Sequence, residues 1–444
     1  MARIFGTDGV RGVANTVLTP ELAFNLGRAG AYVLARHQAP EQPVSILVGK
    51  DTRLSGDLLE SALTAGILSV GADAYAVGVL PTPAVAWLTQ QQAMTAGAMI
   101  SASHNPAADN GIKFFAHNGC KLPDELEDEI EHFLHHPEQL PRPAGDGVGR
   151  LYEVPEWHAL YVDYLCARVQ SPLTGLHAVV DCANGAVSYI AQPLFQRLGV
   201  KVDILNAAPD GLNINVSCGS THPAGLATRV RQLGADLGLA FDGDADRLVA
   251  VDHLGRVVNG DAIMAICALA LKRAGRLAND TLVATVMSNL GLEQAMQAAG
   301  IKLLRAPVGD RYVLAMMQET GASLGGEQSG HIIFLDHATT GDGLLSALQL
   351  LQVVAVSKRP LAELAAVVKP FPQVLHNVPA DRSVLAIPKV QQAMQEAEAV
   401  LSGRGRLLVR PSGTEPLIRV MAEAETEDLA EQAVRLVAVA IAEK

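Results

Sequence analysis

Cysteine and long apolar runs are scarce in this chain of 444 residues. Its five cysteines are dispersed and form no CxxC pair, so the usual spacing of a structural zinc site is absent. An odd, dispersed set of cysteines is typical of a reducing compartment, and we expect a cytoplasmic protein. The longest uninterrupted apolar run, Ala262 to Leu271, is too short to span a membrane, and the first residues lack the apolar stretch of a signal peptide.

Positive charge is also in deficit, with a formal net charge of −12 at pH 7. This balance argues against nucleic acid or an anionic membrane as the main partner, and a phosphorylated substrate would need a local concentration of Arg and Lys. Apolar residues make up 49% of the chain and charged residues 18%, which is typical of a soluble globular protein. The length exceeds what one core supports, so we expect three or four domains.

The familiar nucleotide-binding motifs are missing as well. Residues 5–12 (FGTDGVRG) are rich in glycine, but they have neither the GxGxxG spacing nor the Gly-Lys-Ser/Thr ending of a P-loop. A structural turn is the simpler interpretation of this segment. Arg11 is its one candidate phosphate ligand.

Apolar strands and amphipathic helices alternate along most of the chain. Strands are predicted at 45–48, 73–79 and 96–100, and residues 371–444 show a strand-helix-strand-strand-helix pattern. This pattern predicts an α/β fold class, with three successive similar α/β domains and a smaller C-terminal α+β domain. The predicted boundaries give domains 1–150, 151–253, 254–368 and 369–444, the first boundary lying in a segment rich in Pro and Gly.

The first polar cluster follows the apolar strand 96–100. Residues 101–106 (SASHNP) turn abruptly polar, and Asn105-Pro106 prevents a helix from continuing there. Ser103 is therefore predicted on a tight loop at a strand end, and His104 beside it can donate or accept a proton. An ordinary Ser/Asn turn is the alternative interpretation.

Lys113 stands between apolar residues of the next predicted strand. Its ammonium group either reaches the surface, which is the usual arrangement for a lone lysine, or points into the site.

A run of alternating carboxylates follows the apolar strand 237–241. In extended backbone Asp242, Asp244 and Asp246 would share one face, where a single hard cation can bind all three. Arg247 and His253 occupy the positions where a calcium loop of the EF-hand type needs Gly and Glu, so that alternative fails. A solvated acidic turn remains the other interpretation, although three like charges repel without a cation. Arg247 would add a fixed positive charge beside the metal.

Residues 325–331 (GGEQSGH) form a glycine-flanked loop with a high density of hydrogen-bonding groups. The glycines allow the backbone to approach a ligand, and Glu327, Ser329 and His331 can contact hydroxyl groups or an amine. A hairpin loop without a binding role is the alternative.

Two arginines mark the last cluster, at residues 410–416 (RPSGTEP). Backbone N–H groups from Ser412 to Thr414 and the guanidinium groups of Arg410 and Arg419 would form a cradle for an anion. A plain hairpin needs neither two arginines nor a proline at each end, so phosphate binding is favoured.

Together, residues 101–106, 242–247, 326–331 and 410–416 resemble the four signature loops of the α-D-phosphohexomutases, in that family's order. The resemblance covers essentially the whole chain. Residues 5–12 and Gln328 resemble in particular the bacterial branch that acts on glucosamine phosphates. The resemblance implies four domains around a central cleft, each domain contributing one loop.

The resemblance also implies an activity and a set of residue roles. The enzyme would be an isomerase that interconverts glucosamine 6-phosphate and glucosamine 1-phosphate, with glucosamine 1,6-bisphosphate as intermediate and activator, for UDP-N-acetylglucosamine and peptidoglycan synthesis. One Mg2+ per chain would be bound by Asp242, Asp244, Asp246 and a phosphoryl oxygen on the phosphoserine Ser103. The predicted catalytic residues are Ser103, His104, Lys113, Arg11 and Arg247. The predicted substrate-binding residues are Glu327, Ser329, His331, Arg410, Ser412, Gly413, Thr414 and Arg419.

Several alternatives remain open at this point. Either His104 or Lys113 can move the proton of the sugar hydroxyl group. The substrate can instead be a mannose or glucose phosphate, and a metal-dependent sugar phosphatase or a sugar-phosphate sensor would use some of the same residues. The partner is a small-molecule sugar phosphate, with a homodimer as one alternative for assembly.

Overall fold

The computed structural model describes residues 3–6, 8–37, 43–412 and 417–443. The described residues fall into two compact units, one made of those within 1–287 and 302–366 and the other of those within 288–301 and 367–444. Within these ranges we find no helix long and apolar enough to cross a membrane.

The first unit begins with a six-stranded mixed sheet and its helices, in the strand order β1-β5-β4-β2-β3-β6. The elements are β1 (Val10–Val13), α1 (Pro20–Arg36), β2 (Ser45–Lys50), α2 (Ser55–Leu68), β3 (Asp73–Val79), α3 (Thr82–Gln91), β4 (Ala96–Ile100), β5 (Asp109–Ala116), α4 (Asp124–His135) and β6 (Leu151–Glu153). Helix α1 starts where the sequence predicts, because Thr19 Oγ1 accepts the Leu22 N–H at 3.2 Å and Pro20 occupies the first turn. Every residue of β4 is buried, which explains its uninterrupted apolar sequence.

A second, five-stranded sheet follows in the same unit, with the order β11-β10-β9-β7-β8. Its elements are α5 (Trp157–Ala167), β7 (His177–Asp181), α6 (Ala191–Arg197), β8 (Lys201–Leu205), α7 (Ala224–Leu233), β9 (Leu237–Phe241), β10 (Leu248–Asp252) and β11 (Val257–Val258). Strand β9 is buried throughout, like β4.

The third sheet has the order β13-β12-β14-β15. The elements along this stretch are α8 (Gly260–Arg273), β12 (Thr281–Thr285), α9 (Leu290–Ala298), β13 (Lys302–Ala306), α10 (Asp310–Thr320), β14 (Leu324–Gly326), β15 (Ile332–Phe334), α11 (Gly343–Ser357) and α12 (Leu361–Ala365). Helix α9 belongs to the second compact unit, whereas the strands belong to the first.

The three sheets share one four-stranded arrangement. In β3-β2-β4-β5, β8-β7-β9-β10 and β13-β12-β14-β15, the first three strands are parallel and the last is antiparallel. The three successive similar α/β units predicted from the sequence are therefore confirmed as a structural repeat.

The repeat places three of the polar loops at equivalent positions. The connection from the third to the fourth strand holds Ser103 in the first sheet, the three aspartates in the second, and Glu327 to His331 in the third. Each loop leaves the carboxyl end of a central parallel strand, which is where open α/β sheets bind ligands.

The second unit contains an antiparallel sheet of order β16-β18-β17 and its own core. Its elements after α12 are β16 (Gln373–Pro379), α13 (Pro388–Leu401), β17 (Gly405–Pro411), β18 (Leu417–Ala424) and α14 (Glu427–Ala442). The predicted strand-helix-strand-strand-helix pattern and the α+β class of this segment are confirmed.

Candidate active site

Ser103 lies in a strained, tightly held turn immediately after β4. Its φ is +52°, a left-handed conformation that is uncommon for a residue with a side chain, and the residue is buried. The Ser103 N–H donates to Ser101 Oγ at 2.9 Å, and that hydroxyl group donates to Asp51 Oδ2 at 2.6 Å. Ser103 Oγ itself donates to Asp242 Oδ2 at 2.5 Å. The hydroxyl group is thus held against the acidic loop of the second sheet.

Arg53 fixes the same turn, and the sequence analysis did not find it. Its side chain is fully buried, and its Nε donates to Asp51 Oδ2 at 2.9 Å. The guanidinium group donates to four backbone carbonyl groups of the turn, those of Ser103, Asn105, Pro106 and Asp109. One signal was available, because Arg53 follows β2, whose carboxyl end lies beside that of β4.

The three aspartates converge, although the backbone is not extended as we expected. Each of Asp242, Asp244 and Asp246 is buried, and one carboxylate oxygen from each lies within 4.8 Å of the others. The loop is a turn in which Ala245 has a φ of +58°. The carboxylates therefore meet because the chain folds back, so the predicted convergence is right and the extended geometry is wrong.

These residues fit a divalent cation. Burial, together with the neighbouring Asp246 and Asp244, raises the pKa of Asp242, as expected for three close carboxylates. Oδ1 of Asp244 and Oδ1 of Asp246 are buried and accept no hydrogen bond from any residue that the structure describes. Such oxygens are the ligands that Mg2+ and other hard cations prefer.

Close backbone approach joins the three loops. A Cβ atom at Gly243 would lie 2.6 Å from the Ser103 carbonyl oxygen, so the acidic loop reaches the Ser103 turn only with glycine there. Gly330 has a φ of +98° and its carbonyl accepts the Leu248 N–H at 3.0 Å, which pairs the third loop with the start of β10.

Lys113 points into the site, and the surface alternative is wrong. It is buried on β5, and its Nζ lies 3.0 Å from Asp244 Oδ2 and 3.1 Å from Asp8 Oδ2. Burial opposes the charged form, but Asp244 and Asp8 outweigh it and raise the pKa of Lys113 above its usual value. The ammonium group is therefore a permanent positive charge beside the acidic loop.

Asp8 is a second residue that the sequence analysis missed. Its carboxylate contacts three cations, Arg11, Lys113 and Lys121. Burial opposes ionisation, but these cations lower the pKa of Asp8 well below its usual value. The glycine-rich segment is thus more than a turn, because it places Arg11 and Asp8 at the site.

His104 is half-buried next to Ser103. Burial and the nearby guanidinium groups of Arg247 and Arg11 lower the pKa of this imidazole. Its Nδ1 is buried and makes no hydrogen bond within the described part of the chain. The lowered pKa favours the neutral imidazole, which is the form that can accept a proton.

The third loop faces the other two. Glu327 Oε1 accepts the Gly309 N–H at 3.1 Å, and Ser329 Oγ donates to Glu327 Oε2 at 3.3 Å. His331 is buried, its Nε2 accepts the Gly341 N–H at 2.9 Å, and its Nδ1 lies 3.4 Å from Asp246 Oδ2. The ring proton therefore sits on Nδ1, and His331 orients a carboxylate of the acidic loop.

Several of these groups line a cavity of about 210 Å³ in the first unit. Its walls include predicted residues from all three loops and from the N-terminal segment, namely Arg11, Ser103, Asp246, Arg247, Glu327 and His331. A stretch that the sequence analysis missed, residues 308–312, completes the lining. The only indication of this stretch in the sequence is the Gly309-Asp310 turn before α10.

The last predicted cluster lies in the second unit. Arg410 on β17 and Arg419 on β18 are direct cross-strand partners, so both side chains project from the same face of the sheet. Burial and the neighbouring Arg419 lower the pKa of Arg410, and Arg419 Nη2 lies 3.5 Å from Ser412 Oγ. Like charges directly opposite each other are unfavourable, and a bound anion removes that cost. Gly413 and Thr414, also predicted to bind substrate, lie outside the described residues.

In this site a hydroxyl group lies against three clustered carboxylates, with fixed cations around them and a polar loop opposite. This arrangement is typical of enzymes that act on phosphoryl groups. Models of the phosphoglucomutase/phosphomannomutase α/β/α domains I, II and III match residues 2–140, 159–255 and 259–371, and the model of the C-terminal domain matches 375–440. The chain belongs to this family, the α-D-phosphohexomutases.

Individual relatives agree with the family assignment. The chain is 55% identical over 434 residues to a phosphoglucosamine mutase of Desulforamulus reducens, covering 97% of each sequence. It is 53% identical to a phosphoglucosamine mutase of Anoxybacillus flavithermus, covering 100% of this chain and 99% of the relative.

Solved structures share the fold at lower identity. A family protein of Burkholderia thailandensis has a TM-score of 0.82 at 24% identity, over 99% of this chain and 97% of the other. The Aspergillus fumigatus N-acetylphosphoglucosamine mutase, solved with GlcNAc-6P and magnesium, has a TM-score of 0.68 at 18% identity, over 98% and 95% of the two chains.

Proposed function

We propose that this protein is a phosphoglucosamine mutase that interconverts glucosamine 6-phosphate and glucosamine 1-phosphate through glucosamine 1,6-bisphosphate, for UDP-N-acetylglucosamine and peptidoglycan synthesis. The observation that carries the proposal is the Ser103 hydroxyl group, buried in a strained turn and donating to Asp242 within a triad of carboxylates. Relatives of that name, similar over the whole chain, support the choice of substrate.

Ser103 carries the phosphoryl group in this proposal. The O1 oxygen of glucosamine 6-phosphate attacks phosphorus, the new O1–P bond forms, and the bond from phosphorus to Ser103 Oγ breaks. The bisphosphate then turns over and returns its 6-phosphoryl group to Ser103 Oγ, which leaves glucosamine 1-phosphate. Each transfer moves one proton from the attacking to the departing oxygen, so the net reaction is an isomerisation.

The charges around Ser103 serve this transfer. Asp242, Asp244 and Asp246 would hold Mg2+ together with a phosphoryl oxygen on Ser103, and the metal would neutralise charge on the transferred group. Lys113, Arg11 and Arg247 add fixed positive charge on the same side. Lys113 is paired with two carboxylates, so we assign it to charge neutralisation and His104 to proton transfer.

The remaining predicted residues bind the sugar and its second phosphate. Glu327, Ser329 and His331 belong to the loop that faces Ser103, and we propose that Glu327 and Ser329 contact the sugar ring. Arg410, Ser412, Gly413, Thr414 and Arg419 would bind the phosphate that is not reacting. We also propose the four domains 1–150, 151–253, 254–368 and 369–444.

A coupled assay with glucosamine, glucose and mannose 6-phosphates side by side tests the proposal. We expect the highest kcat/KM for glucosamine 6-phosphate. A higher value for either other sugar would replace this function with that of a phosphomannomutase/phosphoglucomutase, and stoichiometric release of inorganic phosphate would indicate a sugar phosphatase.

Replacing Glu327 with Gln tests how the amine is recognised. Glutamine keeps the oxygen that accepts the Gly309 N–H but removes the negative charge that would pair with a protonated amine. We expect kcat/KM for glucosamine 6-phosphate to fall about 10- to 100-fold, and more than for glucose 6-phosphate. The companion variant Gln328→Met should shift the preference toward glucose 6-phosphate. If the ratio of kcat/KM for the two sugars is unchanged in both variants, this loop binds the sugar without selecting it.

Replacing Arg419 with Ala tests the second phosphate site. Because remote binding energy also orients the sugar, we expect KM to rise about 10- to 100-fold and kcat to fall. Labelling of Ser103 by added sugar bisphosphate should become inefficient as well. Arg404→Ala, an exposed arginine of the same unit, is the matched control. Wild-type kinetics for Arg419→Ala would place the phosphate site elsewhere.

We also propose a homodimer in the cytoplasm. All five cysteine thiols, which lie within the described ranges, are free, as expected in a reducing compartment.

Leu54 and Leu58, one turn apart at the start of α2, are exposed, and so is Leu212 next to Gly211, whose carbonyl accepts the Leu54 N–H. Such an apolar patch suits self-association. Light scattering after gel filtration measures the mass, and a monomer at micromolar concentration would refute the dimer.

A further inference from the structure

Lys121 lies between two carboxylates that belong to different parts of the candidate site. Its ammonium group contacts Asp8 Oδ1 and Asp310 Oδ2, and only 20% of its side chain is exposed. Burial opposes its charge, but Asp310 and Asp8 raise the pKa of Lys121. Lys121 thus bridges the N-terminal segment and the start of α10.

Asp8 connects Lys121 to the groups around Ser103. Its carboxylate also contacts Arg11 and Lys113, and Lys113 contacts Asp244. The arrangement is a chain of alternating charges that ends at the acidic loop. Because Asp8 keeps Arg11 and Lys113 as partners when Lys121 is replaced, the groups around Ser103 retain their own ion pairs.

Asp310 connects Lys121 to the third loop, which is proposed to bind the sugar. It is the first residue of α10, and the N–H of Gly309 before it donates to Glu327 Oε1 at 3.1 Å. Asp310 Oδ2 lies 3.8 Å from His331 Nε2, which already accepts the Gly341 N–H, so the two atoms share no hydrogen bond. The position of Asp310 is therefore tied to that of Glu327 in the third loop.

Other contacts lie nearby but do not join Asp8 to Asp310. Arg311 Nη1 contacts Asp124 Oδ1 at 2.7 Å, and Thr339 Oγ1 donates to the Gly119 carbonyl at 2.8 Å. Lys121 and Asp310 also line a second cavity of about 460 Å³. The ion pairs of Lys121 are therefore the direct charged link from Asp8 to Asp310.

We propose that Lys121 is a positioning residue that holds the sugar-binding loop in register with the phosphoryl-transfer groups by bridging Asp8 and Asp310. This inference rests on the proposed function, since it assumes that a sugar phosphate accepts a phosphoryl group from Ser103. Lys121 acts through its two carboxylate partners and need not touch the substrate.

The experiment compares two fates of the Ser103-phosphorylated enzyme in Lys121→Met, Lys121→Arg and wild type. Transfer to a hexose 6-phosphate needs both sides of the cavity, whereas slow hydrolysis by water needs only the side around Ser103. In Lys121→Met we expect transfer to slow about 10- to 100-fold and KM to rise, with hydrolysis unchanged within about twofold, because small misplacements of a reacting group cost that much. Lys121→Arg, which can still bridge both carboxylates, should recover most of the transfer rate.

Two controls separate positioning from general destabilisation. Lys272→Met removes a lysine that pairs with Asp280 at 3.2 Å and does not line either of these cavities, and it should leave both rates unchanged. If Lys121→Met folds poorly, Lys121→Met combined with Asp310→Asn removes the unpaired buried charge and should restore folding without restoring transfer.

The outcomes are distinct. Three results would overturn the positioning role. They are equal loss of transfer and hydrolysis in Lys121→Met, wild-type transfer in Lys121→Met, and recovery of transfer in the double variant. Wild-type enzyme that transfers to glucose or mannose phosphate but not to glucosamine phosphate would refute the proposed substrate instead, and the Lys121 comparison would then be made with the accepted sugar.

Discussion

Replacing Ser103 with Ala is expected to abolish mutase activity, with kcat reduced by about 10⁴-fold or more. The reason is that the side chain is the proposed covalent carrier, and no other group can substitute for the bond that it forms with phosphorus. A coupled assay of glucosamine 1-phosphate formation measures the loss. Mass spectrometry of tryptic peptides should find one phosphate on Ser103 in active wild-type protein and none in the variant.

Ser101→Ala is the matched control on the same turn. Ser101 Oγ accepts the Ser103 N–H, so this variant loosens the turn while the phosphate carrier stays in place. We expect a loss of about 10-fold to 100-fold and continued phosphorylation of Ser103. A fully active Ser103→Ala protein, or phosphate found only on another residue, would contradict the assignment of Ser103.

The class of the fold was predictable because its strands carry a strong signal. Strands β4 and β9 are apolar on both faces, and each ends sharply in polar residues. The equivalence of the three sheets was only a suggestion from the sequence, since no residue identity repeats between them. It became visible when the strand order placed residues 103, 242–246 and 327–331 in the same connection of each repeat.

The site divides into residues that sequence could predict and residues that it could not. The carboxylates of the acidic loop were predictable because they are close in sequence and their repulsion calls for a cation. Asp8, Arg53 and Lys121 were not, because most of their partners lie far along the chain or are backbone carbonyl groups, and a single charged residue is usually exposed. The burial of Lys113 was unpredictable for the same reason, since only its pairing with the carboxylates of Asp8 and Asp244 makes that burial favourable.

Replacing Asp244 with Asn is the second change with a large expected effect. The variant removes one of three carboxylates that would hold Mg2+ and weakens the ion pair with Lys113. We expect kcat to fall about 10²- to 10³-fold and the Mg2+ concentration for half-maximal activity to rise, because charge neutralisation of the phosphoryl group is lost. Turnover measured against Mg2+ concentration tests both effects.

Thermal unfolding provides an independent test of the same site. A ligand that binds only the folded state stabilises it by about 2.7 kcal/mol at 100 times its Kd, so saturating Mg2+ should raise the Tm of the wild type. The increase should be smaller in Asp244→Asn. It should be unchanged in Asp252→Asn, which alters another buried carboxylate of the second sheet, one that pairs with Arg256 at 2.7 Å. Full activity of Asp244→Asn, or of wild-type protein after exhaustive chelation, would contradict a metal at this loop. An equal Tm increase in all three proteins would place the cation elsewhere.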